Sequence, residues 1–158
     1  MKRKLCVKRL TDSDLTFFEW HFRNRNAGNQ KAINLNADVF VSILFPVLPD
    51  IARRRGGRLP VDLFIFGPGL KPEYNLQRKI VKIGSYKNWR LNGEFIYNPE
   101  NDPERFNCLR AGDFAVIEFQ GDVEPEAARM VIVSAAVAED RTLCAQIGDR
   151  VEAMAAIS

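Results

Sequence analysis

Histidine is nearly missing from this sequence: His21 is the only one in 158 residues, and there are just three cysteines. Cys6, Cys108 and Cys144 lie far apart with no Cys-x-x-Cys pair, which argues against a zinc site or a disulfide frame. Long apolar runs are lacking too. A run such as Phe114-Ala115-Val116-Ile117 is far too short to cross a bilayer. The basic start Met1-Lys2-Arg3-Lys4 is not followed by the apolar stretch and small-residue cleavage site of a signal peptide. These absences predict a soluble, cytoplasmic protein with reduced thiols.

Catalytic signatures are also wanting. Gly67-Pro68-Gly69 lacks the Lys-Ser/Thr of a phosphate-binding loop. No Asp or Glu is followed two residues later by Lys, so the carboxylate-lysine set that holds Mg²⁺ in many nucleases is not visible. Glu118-Phe119-Gln120 has Gln where that lysine belongs, and no His-x-Lys pair occurs. The sequence therefore predicts no catalytic residue, no metal and no cofactor for this chain. His21, inside Phe17-Phe18-Glu19-Trp20-His21-Phe22, reads as a packed or helix-surface side chain.

What is present is ordinary globular composition, 46% hydrophobic and 27% charged, in a length suited to one domain over residues 1–158. Charge is unevenly spread. Residues 1–95 hold 18 Lys+Arg against 8 Asp+Glu, a balance of +10; residues 96–158 hold 5 against 12, a balance of −7. A basic first part suggests a polyanionic partner, or else a solvated surface that is merely uneven.

Leu5–Leu10 alternates as a strand. Thr11 and Asp14 have capping-box spacing, and Leu15, Phe18 and Phe22 predict a helix over Ser13–Phe22. Arg23–Lys31 reads as a polar loop, Ile33 and Leu35 as a strand, and Asn36 as the cap of a helix ended by Pro46. Ile51–Arg58, which contains Arg53-Arg54-Arg55-Gly56-Gly57-Arg58, reads as an exposed, flexible connection. Strands are expected at Val61–Phe66, Arg78–Ile83, Trp89–Leu91, Glu94–Tyr97, Asp113–Phe119 and Met130–Ala136, with Asn92-Gly93 as a two-residue hairpin turn. Leu143, Ile147, Val151 and Met154 predict a helix over Glu139–Ile157. The sum is a small, mainly β, barrel-like domain with flanking helices.

Two segments carry the side chains used against nucleic acid. The first, Arg23–Asn34, contains Arg23, Asn24, Arg25, Asn26, Asn29, Gln30, Lys31 and Asn34. The second, Arg78–Arg90, contains Arg78, Lys79, Lys82, Ser85, Tyr86, Lys87, Asn88, Trp89 and Arg90. Lys and Arg neutralise phosphates, Arg can grip guanine, and Asn or Gln can pair with adenine. The competing reading is two solvated loops with Trp89 turned into the core.

Lys8-Arg9-Leu10-Thr11-x-Ser13-Asp14, Gly28-x-Gln30, and Ile33-x-Leu35 through Leu44-Phe45-Pro46 resemble the N-terminal effector-DNA-binding domain of EcoRII-type restriction endonucleases. The resemblance continues through Arg78–Asn92, Phe114–Phe119 and Val131–Ser134. Related domains occur in Type II enzymes such as BfiI, and Leu109-x-x-Gly112-Asp113 is similar to an element of plant B3 domains. The resemblance implies a seven-stranded open pseudobarrel that grips double-stranded DNA in the major groove with two arms. The arms would fall on about Arg23–Asn34 and Ser85–Arg90. It further implies a recognition module whose nuclease domain lies in the same or another chain, with residues 139–158 as a C-terminal helix and junction. A stand-alone DNA-binding regulator and an RNA-binding pseudobarrel are the alternatives. The sequence departs from EcoRII in its aromatic segment Leu15–Phe22 and in having Asn29 where EcoRII has histidine.

Overall fold

The computed structural model describes residues 3–82 and 88–157. Its centre is one curled, open sheet of eight strands in the order β2-β5-β4-β3-β7-β6-β1-β8. In chain order these are β1 (Lys4–Arg9), β2 (Ile33–Leu35), β3 (Arg58–Phe66), β4 (Tyr74–Lys82), β5 (Trp89–Asn92), β6 (Phe114–Gln120), β7 (Ala127–Val133) and β8 (Met154–Ile157). All neighbours pair antiparallel except β3 and β7, which run parallel. The mainly β, barrel-like class is as the sequence predicts. The sheet has eight strands, one more than the resemblance implies.

The capping box forms as read. Asp14 N donates to Thr11 Oγ1 at 3.1 Å and Thr11 N donates to Asp14 Oδ2 at 3.0 Å, starting α1 (Asp12–Leu15). The expected helix over Ser13–Phe22 does not run through. It breaks at Phe17 and Phe18, both buried, because that backbone is recruited elsewhere. Ile96 N donates to Phe17 O at 2.8 Å and Glu19 N donates to Ile96 O at 2.9 Å, so a long-range bridge replaces helix bonds. The helix resumes as α2 (Glu19–Asn24), which takes Arg23 and Asn24 out of the expected loop.

Asn36 caps as predicted, accepting from Asp38 N at 2.8 Å. The helix it starts, α3 (Ala37–Val39), widens into a π-helical turn over Phe40–Leu44. Two further readings are corrected. The first part of the expected connection, Ile51–Arg54, belongs to α4 (Leu48–Arg54), with Leu48 and Ala52 buried beneath its arginines. The expected C-terminal helix stops early: α5 spans Arg141–Gly148, and Met154–Ile157 instead pairs with Leu5–Lys8 as the edge strand β8. Of the expected 139–158 helix, Arg141–Gly148 is helix and Met154–Ile157 is strand.

Core packing follows the period-2 alternation of the strands. Leu59, Val61, Leu63 and Ile65 of β3 face inward with Ile80, Leu91, Ile33 and Leu35. Phe40 sits among the aromatics, with ring centroids 5.1 Å from Phe119, 5.5 Å from Phe45 and 6.0 Å from Trp89. A smaller cluster of Val7, Phe114, Val133, Cys144 and Val151 lies under α5. The three cysteines are free; burial pushes the Cys6 thiol up to about 12 and that of Cys144 up to about 11. Among the described residues, no helix is long and apolar enough to cross a membrane.

Candidate nucleic-acid interface

The fold brings the described ends of the two basic segments together. The first is the connection that enters β2, and the second is the connection from β4 to β5. Strands β2 and β5 are hydrogen-bonded neighbours, with Ile33 opposite Leu91, Asn34 opposite Arg90, and Leu35 opposite Trp89. Alternation then sorts these residues by face. Ile33, Leu35, Trp89 and Leu91 point into the core, so Asn34 and Arg90 point out. Their side chains touch: Arg90 Nε donates to Asn34 Oδ1 at 3.2 Å.

Asp14 organises the base of the first segment. Its buried Oδ1 accepts from Asn34 N at 3.0 Å and Gln30 Nε2 at 3.3 Å, while Oδ2 lies 3.4 Å from Lys8 Nζ. Gln30 Nε2 also donates to Ala32 O at 2.6 Å, and Asn34 Nδ2 donates to Gln30 Oε1 at 3.1 Å. The Gln30 amide is therefore engaged at both ends by the protein itself. Sequence reading missed Asp14 as a hub because its partners Asn34 and Gln30 are twenty and sixteen residues away. Only the capping spacing marked it.

Lys31 is held in the left-handed region at φ 52°, with its N–H donating to Thr16 Oγ1 at 2.8 Å. Its ammonium lies 4.6 Å from the Phe22 ring centroid and 5.6 Å from that of Phe95. Arg23 ion-pairs with Glu19 and stands 5.9 Å from the Phe95 ring, and Arg25 stands 5.6 Å from that of Trp20. Asn24 Nδ2 donates to Trp20 O at 2.7 Å within α2. Asn26 and Asn29 are exposed and make no side-chain hydrogen bond among the described residues.

Two members of the second segment are corrected. Trp89 is 1% exposed and packs against Phe40, so its indole belongs to the core and cannot reach a base. Arg78 is 9% exposed; Nη1 donates to Gln77 O and Nη2 to Phe95 O, both at 2.6 Å. Burial holds its guanidinium below the ordinary arginine value. Its side chain passes over Gly93, where a Cβ would stand 3.0 Å from Arg78 Cδ and where φ is +128°. The Asn92-Gly93 pair is thus no hairpin: it gives Arg78 passage, and the chain beyond it turns toward Phe18, with Ile96 bridging in place of the expected strand Glu94–Tyr97.

Lys79 lies on the outer face, opposite Asn92 on one side and Pro60 on the other. Lys82 ends β4 and Asn88, exposed, precedes β5. Ser85, Tyr86 and Lys87 fall outside the described residues. In the acidic part, Glu118 is bound by Arg3 and Glu124 by Arg55. Among the described residues no three His, Cys, Asp or Glu side chains come together as a metal site. Comparison with known proteins found no matching family model, no matching curated protein and no matching solved structure.

Proposed function

We propose that this chain recognises double-stranded DNA by sequence, as the recognition module of a restriction endonuclease whose cleaving domain lies elsewhere. The observation that carries this reading is the pairing of β2 with β5. It sets the ends of both basic segments side by side on the outer sheet face, joined by Arg90 and Asn34. Two segments whose ends lie on adjacent strands can meet one groove together, and their cations can meet phosphates on either side. The EcoRII-type resemblance supports the same two segments.

Roles follow from what each side chain already does. Asn26, Asn29, Asn88 and the outward end of Arg90 are the base-reading candidates, and Lys31 and Lys79 the phosphate contacts. Gln30 and Asp14 position the first segment and do not read bases. Arg78 and Trp89 hold the fold.

The test is selection of bound duplexes from a random pool, followed by titration of preferred and scrambled duplex. Arg90→Ala is expected to lose about 1–3 kcal/mol on the preferred duplex relative to the scrambled one, the worth of a bidentate base contact. An unchanged ratio overturns the assignment of Arg90. Failure to enrich any duplex, with tight binding to RNA, overturns the function. Plasmid DNA incubated with the chain and Mg²⁺ is expected to stay intact.

A further inference from the structure

The arginine-rich turn after α4 lies beside the second segment in space. Lys82 N donates to Gly57 O at 3.0 Å, which ties the turn to the end of β4. Arg58, the first residue of β3, is opposite Val81, which is opposite Arg90, which is opposite Asn34. Residues in direct register share a face, so Arg58, Val81, Arg90 and Asn34 form one row across four strands on the outer side. The row beneath it, Leu59, Ile80, Leu91 and Ile33, is core. At about 4.8 Å per strand, Arg58 stands about 10 Å from Arg90.

The turn's geometry presents its cations outward. Arg55 N and Gly57 N both donate to Ala52 O, at 3.0 and 2.7 Å, and close the end of α4. Gly56 and Gly57 follow at φ 68° and 75°, a consecutive left-handed pair that L side chains rarely adopt. The four arginines then divide. Arg55 is held by Glu124 through two bonds of 2.6 and 2.9 Å. Arg53 has only a 3.5 Å contact to Asp50 between side chains 78% and 69% exposed, worth little in water. The Arg54 side chain reaches only Asp50 O, at 3.4 Å, and the Arg58 side chain makes no hydrogen bond or ion pair among the described residues.

We infer that Arg53, Arg54 and Arg58 form a third contact to the phosphate backbone of duplex DNA, flanking the second segment and extending the outer row. This rests on the DNA-binding reading above. Such contacts neutralise phosphates without reading sequence, and each adds about 0.9 to the salt slope of log K by releasing counterions. Glu124 bounds the surface by withholding Arg55.

The experiment titrates wild type, the triple variant Arg53→Gln, Arg54→Gln, Arg58→Gln, and Glu124→Gln against preferred and random-sequence duplex at several salt concentrations. Circular dichroism verifies folding. The triple variant is expected to lose affinity for both duplexes by the same factor, roughly tenfold or more at low salt, with the salt slope smaller by about 2–3. Glu124→Gln, which frees Arg55, is expected to tighten binding to both. If wild type binds duplex while the triple variant keeps its affinity and slope, the turn is no contact. If wild type binds no duplex at all, the DNA-binding reading itself falls, and this inference with it.

Discussion

Arg78 and Lys79 are consecutive residues of β4, yet they belong to two different surfaces. The inward face of β2, β5, β4 and β3 carries Leu35, Trp89, Ile80 and Leu59, and Arg78 strays onto it with both Nη atoms bonded and its Nε buried without a partner among the described residues. Arg78 spends its guanidinium on two backbone carbonyls there. The outward face carries Asn34, Arg90, Lys79 and Arg58, of which only Asn34 and Arg90 bond to each other. Composition treats both faces as one basic segment. Strand alternation divides it into residues that hold the sheet and residues left over for a partner.

The sharpest way to break this division is at Trp89. Trp89→Ala is expected to cost about 3–5 kcal/mol in denaturant unfolding, as a deleted core aromatic does. A variant of unchanged stability that lost only base preference would move Trp89 to the outer face. Next comes Asp14→Asn, which leaves the buried Lys8 beside a neutral amide. Removing one partner of a buried pair costs about 3 kcal/mol, and Lys8→Met in the same chain should restore part of it. Full stability of Asp14→Asn alone would show that the hub is dispensable.

His21 gives an intermediate effect with a definite sign. Its Nε2 lies 2.8 Å from Phe106 O, and its Nδ1 is buried without a partner. Burial first, then the nearby Arg25 and Arg110, lower its pKa, against the Phe106 contact and Asp113. The unfolded chain therefore binds a proton that the native chain resists. Stability should be complete above about pH 6.5 and fall as pH drops below it, by at most about 1.4 kcal/mol per pH unit. Urea midpoints between pH 7 and 5 check this, and His21→Gln should flatten the slope there. The smallest effect belongs to the outward face. Lys79→Gln should leave stability within about 0.5 kcal/mol while reducing the salt slope of duplex binding by about 1.

Legibility in the sequence followed the range of the governing contact. Thr11 with Asp14 and Asn36 with Asp38 are caps made within three residues, and both were readable. So are the loosely alternating β1, most of β3 and the apolar β6. Asn92-Gly93 misled because a strong local turn signal is overridden by Arg78, some fifteen residues back in the chain, and by the Phe18–Ile96 bridge. Met154–Ile157 is a short apolar run that fits helix or strand alike, and only the free edge of β1 decides it. In the interface, the basic segments were visible but their division was not. Gln30's engagement depends on Asp14, and the inward turn of Trp89 depends on its register with Leu35.

The sheet order also sets a schedule for the chain's synthesis. β1 is made first, but its two neighbours are Phe114–Phe119 and Met154–Ile157. At about 5–20 residues per second, roughly 5–20 seconds pass before β6 emerges from a ribosome, and longer before β8. Throughout that interval Leu5, Cys6 and Val7 lack both of the strands they pair with in the native sheet. Pairing them requires contacts separated by more than a hundred residues, the kind that folds slowly. A nascent chain arrested before Phe114 should accordingly be bound by holdase chaperones at its first strand, and released once β6 is complete.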